Sequence, residues 1–255
     1  VSAEKAALAA RTLRSQAPVT ADVGENDYAL YISVPFCPTR CAYCSFVSQS
    51  VEKTKKQIPQ YHALLLEEIR ATADCARQLG LRLRAVYVGG GTPTTFSAEQ
   101  LRSMLETVRA SFDLSACTEF TVEAGRPDTI DRDKLTALLE SGVTRISINP
   151  QTLQDNVLEN IGRRHTAQQT VEAFRLAREV GFTNINMDLI VGLPGDTYES
   201  FCDTIEQVLA LDPENVTVHA LALKRSSRIT QSGEINRAHA VAALADRMMA
   251  YAEKG

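Results

Sequence analysis

The chain has 255 residues, 44% of them hydrophobic and 23% charged, and a formal net charge of −4. This composition is typical of one globular domain, and the acidic balance excludes the basic surface that nucleic-acid binding requires. No apolar stretch reaches the ~18 residues that a membrane helix needs. Six cysteines without a paired framework indicate a reducing, cytoplasmic environment.

The N-terminal segment, residues 1–27, is predicted to be a helix followed by a linker. Residues 1–17 are rich in Ala, Arg and Lys but lack the compact apolar core and cleavage site of a signal peptide. The main domain is expected over residues 28–235 and a C-terminal helix over 236–255. Because the first residue is Val rather than Met, we expect the chain to be part of a longer protein with a further C-terminal segment.

Six apolar, β-rich segments alternate with helical patterns in the main domain. Continuous apolar runs such as Ala-Val-Tyr-Val indicate strands buried on both faces, as in parallel sheets. The predicted strands are 28–35, 85–89, 119–123, 145–149, 184–191 and 215–223. Strict alternation predicts a parallel α/β sheet, either a partial (β/α)6 barrel or a doubly wound sheet.

Helices are predicted between these strands from apolar residues at helical spacing and from capping residues. Ser97 and Gln100 form a capping-box pattern. The predicted helices are 58–79, four that begin near Ser97, Asp131, Thr166 and Asp196, and a last one over 238–252.

Three cysteines, Cys37, Cys41 and Cys44, follow the first predicted strand in C-x3-C-x2-C spacing. Three thiolates from one short loop suit an iron–sulfur cluster that keeps one iron open to another ligand. Zinc is an alternative, but structural zinc has four protein ligands, and the next Cys or His residues are His62 and Cys75. A purely structural role for the three thiols is the remaining interpretation.

The other three cysteines lie in periodic apolar segments. Free cysteine is among the residues most often buried in proteins. We therefore predict core packing for Cys75, Cys117 and Cys202.

Glycine or carboxylate residues lie at the predicted strand ends, where α/β folds build their sites. The second strand runs into residues 89–92, Gly-Gly-Gly-Thr, whose backbone can approach a ligand closely. The third strand ends in Glu123, and the fifth contains Asp188. A carboxylate in a buried strand needs a cation or hydrogen-bond donors as partners, and an ion pair within the protein is the structural alternative.

Taken together, these motifs resemble those of the radical SAM superfamily, whose members use S-adenosylmethionine (SAM). The cysteine loop has an aromatic, Tyr43, before its last cysteine, G-G-G-T-P begins at Gly89, and D-L-I-V-G-L-P begins at Asp188. The segment from Gln151 to Thr166 is similar to that of oxygen-independent coproporphyrinogen III dehydrogenases (the HemN/HemZ-like family), most of all to the HemZ-type branch. The resemblance implies a partial (β/α)6 barrel of the radical SAM type.

By this resemblance, the three cysteines hold a 4Fe–4S cluster, and SAM chelates the open iron. Glu123 would bind the SAM amine, Arg163 a carboxylate and Asp188 the ribose, while the backbone after the sixth strand would hold the adenine. The residues implied to contact SAM are Tyr31, Tyr43, Phe46, Gly89, Gly90, Gly91, Thr92, Glu123, Gln151, Arg163, Asp188, Ala220 and Leu221.

The implied function is radical oxidative decarboxylation in anaerobic haem biosynthesis. A 5′-deoxyadenosyl radical would convert propionates of coproporphyrinogen III into vinyl groups and give protoporphyrinogen IX, with reduced flavodoxin or ferredoxin as electron donor. The alternatives are a haem-binding or haem-trafficking protein without decarboxylase activity, or a radical SAM enzyme acting on another tetrapyrrole.

Cations near the predicted mouth of the barrel would suit the carboxylates of a tetrapyrrole. His165 is predicted either to face the substrate or to lie on the surface. The turn after Glu123 reads E-A-G-R-P where the family often has E-x-N-P or E-x-D-P, and Phe46 stands where the best-known members have a cysteine. The candidate cations are Arg126, Arg164, Lys224, Arg225 and Arg228.

Overall fold

The computed structural model describes residues 2–46, 48–222, 227 and 238–253. Eight strands lie within these residues: β1 (Asp27–Val34), β2 (Phe36–Cys37), β3 (Gln49–Ser50), β4 (Arg82–Gly90), β5 (Glu119–Glu123), β6 (Arg145–Gln151), β7 (Ile185–Val191) and β8 (Asn215–Ala220). The α-helices there are α1 (Ala3–Ala21), α2 (Val51–Thr54), α3 (Ile58–Gln78), α4 (Ala98–Ser111), α5 (Arg132–Glu140), α6 (Asp155–Asn160), α7 (Ala167–Val180), α8 (Tyr198–Leu209) and α9 (Ala238–Ala252). Short 3-10 turns cover Lys55–Gln57, Pro93–Thr95 and Pro127–Thr129.

Six of the strands form one parallel sheet in the order β1-β4-β5-β6-β7-β8, which is also their order along the chain. A doubly wound sheet reverses its strand order at a switch point, whereas a barrel keeps it. The predicted partial (β/α)6 barrel is therefore confirmed, and the doubly wound alternative is excluded. Strands β1 and β8 lie at the two edges of the sheet.

Helix starts follow the local signals that the sequence carries. Ser97 and Thr166 each form a reciprocal capping box, and the Asp131 side chain caps α5. The N-cap of helix α8 is Thr197, one residue after the predicted start at Asp196. The Asp196 carboxylate lies just before that cap and accepts a hydrogen bond from the Thr197 amide.

The two faces of the sheet differ in polarity. On β7, Ile185, Met187 and Leu189 are fully buried in the apolar core, while Asn186 and Asp188 alternate with them and face the other side. Helices cover the apolar face, which buries most of the hydrophobic side chains. The opposite face is lined by polar side chains and forms the wall of a cavity.

The predicted burial of the three remaining cysteines is only partly correct. Cys117 and Cys202 are half-buried, but Cys75 is exposed. Helix α3 buries the face that carries Ala73 and Ala76, and Cys75 lies about 100° around the helix from Ala76. The prediction for Cys75 was wrong because adjacent positions on a helix point in different directions.

Several short elements have no clear sequence signal. Strands β2 and β3 pair in parallel and place Cys37 beside Ser50, and α6 follows β6 directly. Helix α1 has no buried residue. The predicted domain boundaries at residues 27 and 235 stay a prediction. Within the described ranges, no helix combines the length and apolar character that crossing a membrane would require.

Candidate active site

A cavity of about 580 Å³ opens on the polar face of the sheet, between the strand ends and the cysteine loop. Its volume lies in the ~300–1,000 Å³ range of ligand pockets. Predicted site residues that line it are Tyr31, Cys37, Cys41, Tyr43, Cys44, Phe46, Gly90, Gly91, Thr92, Glu123, Gln151, Arg163 and Asp188. Three other predicted residues, Gly89, Ala220 and Leu221, are not part of its wall.

The cysteine loop is held in place by backbone and hydroxyl contacts. The Ala42 amide donates to the Ile161 carbonyl (2.9 Å), and the Thr39 hydroxyl donates to the Gly162 carbonyl (2.8 Å). On the opposite side, Thr92 Oγ1 donates to Cys37 Sγ at 3.6 Å. The loop therefore rests on the segment after α6 and on the segment after β4.

The three thiols fit an iron–sulfur cluster by their chemistry and shared position. All three border the same cavity, which leaves room for a further ligand beside them. Within the described part of the chain, no three Cys, His, Asp or Glu side chains are close enough to hold a single metal ion. The donor set thus matches a cluster with three cysteine ligands, and it lacks the four protein ligands of structural zinc.

The glycine run packs closely against the backbone at the end of β1 and at the start of the cysteine loop. The Gly91 amide donates to the Val34 carbonyl (2.8 Å), and a Cβ on Gly91 would lie 2.7 Å from the Phe36 carbonyl oxygen. Gly90 has a φ of 104°, in the region that favours glycine. The sequence predicted a close approach of this backbone to a ligand, and the structure adds a close approach to the start of the cysteine loop.

Glu123 sits half-buried on the cavity wall and accepts a hydrogen bond from the Tyr87 hydroxyl at 2.6 Å. Burial raises the pKa of Glu123, the Tyr87 hydrogen bond opposes this, and the nearby Asp188 carboxylate adds to the rise. Tyr87 in turn stacks on Tyr31, with ring centroids 5.9 Å apart and planes at 12°. A carboxylate in this environment is stabilised by any cation that enters the cavity.

Asp188 is oriented by a network of side-chain hydrogen bonds across three strands. Asn186 Nδ2 donates to Asp188 Oδ1 (2.6 Å) and to Ser147 Oγ (2.9 Å). The Thr217 hydroxyl donates to Asn186 Oδ1 at 2.8 Å. Asn186 is buried, and both its Nδ2 and its Oδ1 form hydrogen bonds. Its side chain therefore holds the Asp188 carboxylate in one position.

Arg163 is almost completely buried beside the cysteine loop. Its Nη1 donates to the Asn149 carbonyl (2.5 Å) and its Nη2 to the Tyr43 hydroxyl (3.3 Å). Its Nε is buried and has no hydrogen-bond partner among the described residues. Gln151, also in the wall, has a φ of 71°, which is uncommon for a residue other than glycine and indicates local backbone strain.

The two predicted mouth cations that the structure describes are both engaged in ion pairs. Arg164 is exposed and pairs with Glu52 at 2.8 Å, outside the main cavity. Arg126 borders the cavity but is buried and bound to Asp128. The other candidates, Lys224, Arg225 and Arg228, lie outside the described residues, as does Leu223 of the predicted sixth strand.

His165 fits neither of the two predicted positions, because its side chain is fully buried. Its Nδ1 lies 3.9 Å from Asp128 Oδ1. Burial, followed by the charges of Arg163 and Arg126, lowers the pKa of His165 to about 3. The residue is therefore a neutral packing element between two arginines rather than a substrate or surface histidine.

The sequence reasoning missed several polar residues of the cavity wall. Tyr87, Arg145, Ser147 and Thr217 line the cavity, and none was predicted as a site residue. A signal was present in β6, where polar residues recur at every second position in Arg-Ile-Ser-Ile-Asn, as expected for one face of a strand.

A family model of the Radical SAM superfamily matches residues 31–208, which include the cysteine loop and the strands that carry Glu123 and Asp188. The chain belongs to the radical SAM superfamily. Members of this superfamily use a 4Fe–4S cluster and SAM.

Relatives narrow the resemblance to the HemN, HemZ and HemW group, as predicted. The oxygen-independent coproporphyrinogen-III oxidase-like protein HemZ of Bacillus subtilis is 39% identical over 82% of this chain and 42% of its own length. The heme chaperone HemW of the same organism is 38% identical over 76% of this chain and 50% of its own length.

A solved structure of this group is also similar to the chain. Coproporphyrinogen III oxidase (HemN) from Escherichia coli superposes with a TM-score of 0.73 at 29% identity, covering 86% of this chain and 50% of that chain. The chain thus spans about half the length of the relatives that it matches.

Proposed function

We propose that this chain binds a 4Fe–4S cluster through Cys37, Cys41 and Cys44, binds SAM beside it and acts on a tetrapyrrole. The observation that carries the proposal is that three thiols and two carboxylates, Glu123 and Asp188, border one cavity in a radical SAM fold. When bound, the reduced cluster supplies the electron that cleaves SAM. The proposed core of residues 28–235 holds all of these groups.

The chain's own residues would bind and orient SAM by complementary charge. Glu123, whose burial calls for a cation, would accept the SAM amine. Arg163, with its buried and unpartnered Nε, would meet the SAM carboxylate. Asp188, held by Asn186, would accept the ribose hydroxyls. The backbone at residues 220–221 would hold the adenine at the edge of the cavity.

The proposed reaction is oxidative decarboxylation of propionate groups of coproporphyrinogen III. One hydrogen atom would pass from the propionate β-carbon to the adenosyl part of cleaved SAM, which leaves as 5′-deoxyadenosine. CO2 would then be released, one electron would pass to an external one-electron acceptor, and a vinyl group would remain. The similarity to HemZ, a coproporphyrinogen-III oxidase-like protein, and to HemN, a coproporphyrinogen III oxidase, supports this substrate class. Reduced flavodoxin or ferredoxin is the proposed source of the electron that reduces the cluster.

A second candidate is haem binding without decarboxylation, as in a haem chaperone. Of the cations predicted for the substrate, the two that the structure describes are committed to carboxylates, Arg126 to Asp128 and Arg164 to Glu52, which leaves fewer positive charges for a porphyrinogen with four carboxylates. Relatives named heme chaperone HemW are also among the matches. This candidate keeps the cluster and SAM but replaces turnover of a porphyrinogen with retention of haem.

The deciding experiment is an anaerobic assay of the reconstituted protein with dithionite, SAM and coproporphyrinogen III. 5′-Deoxyadenosine and protoporphyrinogen would be followed together, and haem binding would be measured in parallel by absorbance. Formation of both products, and their loss in Cys41→Ala but not in Cys75→Ala, supports the decarboxylase. 5′-Deoxyadenosine without protoporphyrinogen, together with stoichiometric haem binding, supports the chaperone. A wild-type protein that assembles no cluster contradicts both.

A further inference from the structure

Arg126 is a buried arginine directly behind the cysteine loop. It is only 3% exposed, and it lies in the E-A-G-R-P segment, which departs from the pattern of the resembled family. A buried guanidinium requires a counter-ion, which Asp128 supplies through two parallel hydrogen bonds. Arg126 Nε and Nη2 donate to the two carboxylate oxygens of Asp128, each at 3.0 Å.

The remaining nitrogen of Arg126 points at the loop that carries the thiols. Its Nη1 donates to Thr39 Oγ1 at 3.1 Å and lies 4.0 Å from Cys41 Sγ, within reach of a hydrogen bond to sulfur. Since Asp128 occupies the other two corners of the guanidinium, the ion pair presents its positive end to the sulfur. Residues 85 positions apart along the chain thus meet at this contact.

A positive hydrogen-bond donor beside a cluster thiolate changes the redox balance of the cluster. Reduction adds a negative charge, and hydrogen bonds to the sulfurs and nearby charge are among the factors that set the reduction potential. Arginine stays protonated under all ordinary conditions, so its charge does not depend on pH. In a buried site this charge is screened less than it would be in water.

We propose that Arg126 raises the reduction potential of the cluster by donating to the Cys41 thiolate, and that Asp128 limits this effect by partial neutralisation. The inference rests on the proposed cluster site. Arg126 acts through Cys41 and is therefore a positioning residue. Arg163 also interacts with Cys41 and is unchanged in every variant below, so its charge is a constant background. His165 Nδ1 lies 3.9 Å from Asp128 Oδ1, and the pKa of His165 is lowered to about 3.

The two members of the ion pair give opposite predictions, which a merely structural role would not. Arg126→Gln removes the cation, so the ratio of reduced to oxidised cluster at a fixed potential should fall by on the order of tenfold, equivalent to about 59 mV for a one-electron couple. Asp128→Asn leaves the cation without its counter-ion, so the same ratio should rise. Arg126→Lys keeps the charge but loses the planar fork, and its ratio should lie between those of Arg126→Gln and the wild type.

The test is a redox titration of the full reconstituted chain with mediators, followed by the electron paramagnetic resonance signal of the reduced cluster. Arg164→Gln is the matched control, because Arg164 is exposed and pairs with Glu52 away from the thiols. Opposite shifts in Arg126→Gln and Asp128→Asn, with none in the control, support the proposal.

Equal or same-direction shifts in the two variants overturn it. If Arg126→Gln assembles no cluster, the Asp128→Asn titration decides, and an unchanged or lower potential there overturns the inference. Iron and sulfide analysis of the wild type separates this question from the proposed function. A chain without a cluster removes both proposals, whereas a normal cluster that ignores Arg126 removes only this one.

Discussion

The cavity has two halves that are built in different ways. The loop half carries the three cysteines on residues 37–44, and contacts with distant segments, such as Thr39 with Gly162, hold it in place. The strand half carries Glu123 and Asp188 on regular strands. There the register of the parallel sheet pairs Glu123 with Ser147 and Asp188 with Thr217.

The two halves should therefore respond differently to substitutions. A strand residue keeps its position through many ladder hydrogen bonds, so replacing its side chain removes a function without moving the backbone. The loop depends on a few contacts and on close packing against glycine, so a single added methyl group can displace it. The predictions below test this contrast, beginning with the largest expected effect.

Replacing any one of Cys37, Cys41 or Cys44 with Ala should abolish assembly of a stable cluster. The loss of one of three thiolates leaves an iron without its protein ligand. Iron and sulfide content after anaerobic reconstitution measures the effect, and exposed Cys75→Ala is the control that should keep full content. A single loop variant that retains the wild-type iron and sulfide content would contradict the assignment of that cysteine.

Gly91→Ala should destabilise the apo protein by about 1–3 kcal/mol, the usual cost of overpacking. The new Cβ would lie 2.7 Å and 2.9 Å from backbone atoms of Phe36, which cannot rotate away. Urea denaturation measures the change. Gly24→Ala is the control, since the nearest atom to its added Cβ is 3.9 Å away, and it should change stability by less than about 0.5 kcal/mol. Equal stabilities of the two variants would refute the role assigned to Gly91.

Asn186→Ala should cost about 1–3 kcal/mol, because it removes the hydrogen bonds that the buried Asn186 side chain makes with Ser147, Asp188 and Thr217. The same change frees the Asp188 carboxylate, so SAM affinity measured by calorimetry should fall while cluster content stays normal. The exposed Asn160→Ala is the control. Loss of the cluster in Asn186→Ala would mean that the two halves are not independent.

Tyr87→Phe should alter the pH dependence of stability. Burial already raises the pKa of Glu123 above its ordinary 4.5, and removing the Tyr87 hydrogen bond should raise it further. Between 4.5 and the raised pKa the native state binds more protons than the unfolded state, so the free energy of unfolding falls as pH rises. In the variant, the free energy of unfolding should keep falling to a higher pH than in the wild type, by about 1.4 kcal/mol more for each unit by which the pKa of Glu123 rises.

Denaturation curves at several pH values above 4.5 measure this effect. Glu123→Gln, which cannot ionise, should remove the fall. Parallel curves for the wild type and Tyr87→Phe would mean that the hydroxyl does not influence Glu123.

Much of the strand half could be predicted from the sequence, because strand periodicity and capping residues are local signals. Glu123 was placed correctly at the end of its strand and Asp188 within its strand, and the capping box at Ser97 and the helix start at Thr166 appeared as expected. The partner of Glu123 was missed. Tyr87 lies 36 residues earlier, and nothing local marks it as a hydrogen-bond donor to that carboxylate.

For the loop half, the sequence predicted the ligand type but not the residues that surround the thiols. The three cysteines lie within eight residues, and their spacing favours a shared iron–sulfur cluster over zinc or a structural role. The neighbours of these thiols depend on which segments the fold brings together. Arg126 was predicted as a cation for substrate, but packing buries it between Asp128 and the loop.

The sequence by itself therefore determined the order of strands and helices, the cysteine motif and the two carboxylates on the strands. Short-range spacing along the chain carries each of these. Only the tertiary structure decided that Gly91 packs on Phe36, that His165 is buried and neutral, and that Arg126 faces Cys41. These contacts join residues far apart in sequence, and their geometry follows from how the helices and loops pack around the completed sheet.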